Sequence, residues 1–155
     1  MLDPESVATY FARKVPDGWF TGTPRVQMDG DEILCVGELP VEATVPAFRE
    51  STRDERMAIA AEAEGRFGRK VSWGVEHGGG LTLFTSLGAP VMTRLRLPER
   101  AVLDTLVDAG VARSRSEALA WCVKLVGRHQ AEWLTDLREA LVSVEKVRAE
   151  GPTLC

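Results

Sequence analysis

Cysteine and histidine are scarce in this chain. Three cysteines (Cys35, Cys122 and Cys155) and two histidines are spread over 155 residues. There is no C-x-x-C pair and no Cys/His cluster, so neither a zinc site nor a disulfide framework is supported, and a reducing compartment is expected. His77 and His129 lie far apart with no further ligand at metal-binding spacing, so no metal and no other cofactor is expected. Uninterrupted apolar runs are also missing. None approaches the roughly 18 residues of a spanning helix, and the first residues do not place an apolar run after a basic start. A soluble, cytoplasmic protein with no membrane partner is the expectation.

Catalytic patterns are equally thin. His77-Gly78-Gly79-Gly80 is similar to the oxyanion loop of some lipases and esterases, but no G-x-S-x-G supplies a nucleophile. The motif therefore predicts a hairpin turn. Gly65-Arg66-Phe67-Gly68-Arg69-Lys70 is basic and glycine-bearing but lacks the Lys-Ser/Thr of a phosphate-binding loop. Helix termination is its expected role, and no enzyme is expected.

What is present is a globular composition with uneven charge. Hydrophobic residues make up 45% of the chain, enough for a core, and the net charge is −4. Residues 1–90 hold 9 basic and 14 acidic side chains, while residues 91–155 hold 10 and 9. Between Val91 and Ala131 the count is 7 against 4. A modest basic excess is thus confined to the segment that begins Met92-Thr93-Arg94-Leu95-Arg96-Leu97-Pro98.

The N-terminal part reads as an α-β-β-α-β-β module. Asp3-Pro4 starts a helix as N-cap and first-turn proline. Val7, Tyr10, Phe11 and Val15 repeat at helical spacing, and Pro16-Asp17-Gly18 ends it. Arg25–Met28 and Glu32–Leu39 flank Asp29-Gly30-Asp31, a hairpin signal. A helix is predicted over about Ser51–Glu64, opened by Ser51 and Asp54 at capping-box spacing and closed by Gly65 and Gly68. Val71, Trp73 and Val75 alternate, as do Leu81, Leu83 and Leu87, giving a second hairpin across the glycines.

The C-terminal part changes to strand, helix, turn and helix. Alternation over Met92–Leu97 predicts a short strand. A helix follows from about Pro98 to Ala109, a turn at Gly110, and a helix opened by Ser114 and Glu117 as a capping box. Beyond Gly127, Leu134, Leu137, Leu141 and Val144 are spaced 3, 4, 3, a seam too short to stand alone. The fold class expected is α+β: a module over residues 1–90, a second over 91–127, and a C-terminal helix and tail over 128–155.

Thr93-Arg94-Leu95-Arg96-Leu97-Pro98-Glu99, then Val102, Leu103, Leu106 and Val107, then Gly110, then Ser114-Arg115-Ser116-Glu117-Ala118-Leu119, resemble the ribbon-helix-helix family of DNA-binding proteins. The resemblance covers about a quarter of the chain. It implies a homodimer in which two strands pair antiparallel and four helices interlock. Leu95, Leu97, Val102, Leu106, Val111, Leu119, Cys122 and Val126 would then form the dimer core. Strand side chains alternate, so Met92, Arg94 and Arg96 would face the major groove of double-stranded DNA. Arginine there grips guanine O6 and N7 together. Arg113, Ser114, Arg115 and Ser116 would hold a phosphate at the second helix's start.

The function this implies is a dimeric, sequence-specific DNA-binding protein, a bacterial transcriptional regulator. The acidic module before it would sense a small ligand, bind a protein, or join dimers into higher oligomers. Two alternatives stay open. One is an antitoxin of the same fold. The other is a dimeric ligand-binding or enzymatic protein whose ribbon only dimerises, with Arg94 and Arg96 as the solvated face of an edge strand.

Overall fold

A computed structural model describes residues 2–153. The last two residues of the expected tail, Cys155 among them, lie outside the described residues, as does Met1. The fold is α+β, and the chain divides into two compact units between Val91 and Met92.

In the first unit, helix α1 (Pro4–Lys14) is capped by Asp3, whose carboxylate accepts from the N–H groups of Glu5 and Ser6. Its face of Val7, Tyr10 and Phe11 is buried. Strands β1 (Arg25–Met28) and β2 (Glu32–Glu38) pair antiparallel across the expected turn. There Asp29 Oδ1 accepts from the Asp31 and Glu32 N–H groups at 2.8 and 2.9 Å, and these bonds lower the carboxyl's pKa.

Two helices then follow where one was expected. Helix α2 (Val45–Ser51) is capped by Thr44, which accepts from Ala47 N–H, and carries Pro46 in its first turn. Helix α3 (Arg53–Phe67) runs through Gly65 and stops at Gly68, which takes a left-handed φ of 67° and donates to the Glu64 carbonyl. The Ser51 cap is not made. Ser51 closes α2 and its hydroxyl donates to the Phe48 carbonyl. The module is therefore α-β-β-α-α-β-β.

Strand β3 (Lys70–His77) lies parallel to β2 and antiparallel to β4 (Gly80–Leu83), giving the order β1-β2-β3-β4. A parallel pair requires a crossover, and α2 and α3 supply it. Gly78 and Gly79 sit at φ 59° and 79° between the paired His77 and Gly80. Positive φ at both central residues is what a tight two-residue hairpin needs. The expected alternation in β3 is replaced by burial of every residue from Val71 to Val75. Central position explains this: Leu83 and the Thr82 carbonyl fill the space a Cβ at Gly74 would take. Beyond β4 the chain stays attached, with Phe84 N–H donating to the Trp73 carbonyl and Leu87 N–H to Glu32 Oε1.

The core of this unit joins Phe11, Ile33, Cys35, Phe48, Trp73 and Val75, and Phe11 and Trp73 meet edge to face at 5.8 Å. Trp19 and Phe20 pack against it.

The second unit holds three helices, α4 (Leu97–Asp108), α5 (Arg115–His129) and α6 (Ala131–Glu150). Gly110 turns the chain at φ 79°. Buried side chains are few: Leu103, Ala112 and Ala118, with Leu95, Leu106, Val107, Leu119 and Cys122 half-buried around them. Helix α6 buries none of its residues.

Candidate nucleic-acid interface

Residues 91–96 carry no regular structure, and the expected strand has no partner within one chain. Arg96 is extended (φ −86°, ψ 170°) and serves as N-cap to α4, with Leu97 and Pro98 as the helix's first two residues. The expected alternation of burial is not seen: Leu95 is half-buried against the small core, whereas Met92, Thr93, Arg94, Arg96 and also Leu97 are exposed. Met92 reaches 94% exposure. Among the described residues, no carboxylate comes within 4.0 Å of the Arg94 or Arg96 guanidinium. Arg100, which the pattern did not single out, ties the segment down by donating to the Leu95 carbonyl.

The start of α5 is built as a bound cluster. Ser114 Oγ accepts from Glu117 N–H at 3.1 Å. Glu117 answers one residue earlier than a capping box would, accepting from Arg113 N–H at 2.7 Å, and that bond lowers its pKa. Arg113 also pairs with Glu117 at 3.4 Å but is otherwise exposed. The Arg115 fork is engaged: Nε and Nη2 donate to the two oxygens of Asp104 at 2.8 and 2.9 Å, a bidentate clip from α5 to α4. The hydrogen bond lowers the Asp104 pKa and raises that of Arg115. Ser116 is exposed in the first turn of α5. No pattern within either helix points to Asp104, because the pair spans eleven residues across the turn.

The residues expected in a dimer core divide in two. Leu95, Leu106, Leu119 and Cys122 are half-buried, whereas Leu97, Val102, Val111 and Val126 are 69%, 55%, 49% and 50% exposed. Leu103, beside Val102, is buried instead at 5%. On the expected seam of α6, Leu137, Leu141 and Val144 are exposed and Leu134 is half-buried. Among the described residues, no helix is long and apolar enough to cross a membrane, and no group of His, Cys, Asp and Glu could hold a metal.

Comparison with known proteins places both units. Residues 5–83 match the family model of the Rv1265-like protein N-terminal domain, and residues 96–148 match that of the Mb1296 C-terminal domain. Uncharacterised proteins Rv1265 of Mycobacterium tuberculosis and Mb1296 of Mycobacterium bovis are each 54% identical over 164 aligned positions, covering 98% of this chain and 73% of theirs. The chain belongs to the Rv1265-like family. No solved structure matches. Arg96 and the α5 cluster lie within the second matched segment of this Rv1265-like chain, while Met92 and Arg94 fall between the two.

Proposed function

We propose that this chain is a dimeric, sequence-specific DNA-binding protein that regulates transcription in a bacterium. The observation that carries the reading is the pair Arg94 and Arg96, exposed on a non-helical segment and without a carboxylate partner among the described residues. That segment leads into a helix-turn-helix pair whose apolar face is unfinished. In a dimer, residues 92–96 of two copies pair into an antiparallel ribbon, which satisfies backbone groups that have no partner in one chain. Leu95 then turns inward, and Arg94 and Arg96 face the major groove with Met92 beside them. Four arginines per dimer read base edges, each good bidentate contact contributing about 1–3 kcal/mol of discrimination. Phosphate contacts fall to the first amides of α5, the Ser114 and Ser116 hydroxyls and Arg113. Arg115, held by Asp104, positions the helix.

Titration of fluorescent genomic DNA fragments by anisotropy across a salt series tests this. The wild type binds with affinity falling steeply in salt, as roughly four to eight phosphate contacts require, and Arg94→Ala/Arg96→Ala loses selectivity among fragments. Absence of binding at about 50 mM salt, where nonspecific attraction is strong, would sink the reading.

A further inference from the structure

Three arginines at the α2–α3 junction form a cationic cluster with no neutralising partner among the described residues. Arg56 is 94% removed from solvent, being 6% exposed. Its Nε donates to Thr52 Oγ1 at 2.9 Å and one Nη2 hydrogen to the Arg49 carbonyl at 2.8 Å. A guanidinium carries five donors, so three are left without a protein acceptor among the described residues. Arg49 and Arg56 both stand over the ring of Phe84, at 5.5 and 4.7 Å from its centroid. Arg53 opens α3 between them. Glu50, Asp54 and Glu55 flank them in sequence, yet among the described residues no carboxylate comes within 4.0 Å of any of the three.

Burying a charge without a counter-charge is costly, and the fold normally avoids it. Here burial, then Arg49 and then Arg53, lower the Arg56 pKa from its ordinary value. The Thr52 hydroxyl faces Phe48 and Arg56, so α3 begins without a side-chain cap. Uncapped helix amides and several guanidiniums together favour an oxyanion.

We propose that Arg49, Arg53 and Arg56 form a binding site for the phosphoryl group of a small phosphorylated molecule, gripped beside the Phe84 ring. Arg56, fixed by Thr52 and the Arg49 carbonyl, supplies the preorganised donors. Arg49 and Arg53, exposed at the rim, close on the phosphate. The site lies wholly in the first unit and is independent of the ribbon.

Calorimetric titration of the full chain with pyrophosphate at constant ionic strength tests this, beside Arg49→Gln and Arg53→Gln. Both substitutions lie on the surface and leave the buried Arg56 in place. Saturable binding is expected, weakened roughly tenfold or more by either substitution, since a hydrogen bond to a charged group is worth about that factor. Without ligand, Arg53→Gln should melt at or above the wild-type temperature, because it removes repulsion from Arg56 and no ring contact. A structural role predicts the reverse. Absence of saturable binding, equal binding by the variants, or a lower ligand-free melting temperature of Arg53→Gln would overturn the proposal. Duplex DNA affinity should be the same in all three proteins. Its loss in the variants would assign the arginines to a nucleic-acid backbone and overturn the small-molecule site.

Discussion

Replacing Val102 by aspartate is the most direct test of whether the second unit completes itself with another copy. About half of each of Leu97, Val102, Val111 and Val126 remains exposed in one chain. Full burial of such a side chain is worth about 1.5–3 kcal/mol, so covering the exposed half yields roughly 1 kcal/mol each. Counted on both protomers, these four positions offer about 8 kcal/mol before the rigid-body cost of association. They alone hold a dimer no tighter than about 1 μM. Ribbon hydrogen bonds and the half-buried Leu95, Leu106 and Leu119 must supply the remainder. Val102→Asp removes the apolar contact twice and places two carboxylates against it. A loss of at least 3 kcal/mol, or more than about a hundredfold in dissociation constant, follows. Since Val102 is 55% exposed in one chain, the substitution leaves the buried Leu103 contact intact. Sedimentation equilibrium over a concentration series reads the constant, and circular dichroism checks that helix content is kept. A wild type that stays monomeric at roughly 100 μM, or a variant that dimerises equally well, would refute the reasoning.

Other substitutions probe the two units separately. Gly37→Ala drives a methyl group into the Phe20 ring, which packs against Trp19 and Phe48, so a loss of about 1–3 kcal/mol is expected in thermal melts. The Cys35 thiol, pushed up to about 12 by burial, should resist a thiol reagent until the first unit unfolds. In Cys155→Ser, the half-buried Cys122 should react first. Asp104→Asn should cost stability above the ordinary carboxyl range near pH 4. Because the Arg115 hydrogen bond depresses the Asp104 pKa, the difference from wild type should vanish as pH falls through that lowered value, as paired urea titrations will show.

The local devices were legible because each is a short chemical statement. Asp3-Pro4, Asp29-Gly30, Gly78-Gly79, Gly110 and Ser114 each fix a backbone conformation or satisfy an end, and all stand where they were expected. Helix α2 escaped because its seven residues bury only Phe48, too short a run to show a period. Ser51 and Asp54 have the spacing of a cap, but Thr52 breaks the helix between them and spends its hydroxyl on Phe48 and Arg56. Burial of Ser72 and Gly74 could not be read from polarity, because it depends on β3 lying between two strands. At the candidate interface, the Ser114 cap was visible, whereas the Asp104–Arg115 clip and the Arg100 bond to Leu95 are tertiary. Val102 and Leu103 are adjacent and equally apolar, so only packing distinguishes the one turned inward.

The two units differ most in how far each closes its own core. Among the described residues, fourteen of the seventeen buried hydrophobic side chains lie at or before Phe84, and fourteen of the twenty exposed large ones lie at or beyond Met92. An exposed apolar surface of this extent on three helices is the kind that marks an interaction site. The imbalance has a sequence origin: β2 and β3 each place apolar side chains on a face that α1, α2 and α3 cover within one chain. By contrast, among the described residues α4, α5 and the turn between them bury Leu103, Ala112 and Ala118 with half-buried neighbours around them. Two of those three buried residues are alanines. Alanine lets the helices approach closely but buries little area, so the larger side chains at Leu97, Val102, Val111 and Val126 must find their cover elsewhere. A second copy, as proposed, would meet that need and at the same time pair residues 92–96. Those two requirements, apolar cover and backbone partners, would both be met by the arrangement that presents Arg94 and Arg96 together.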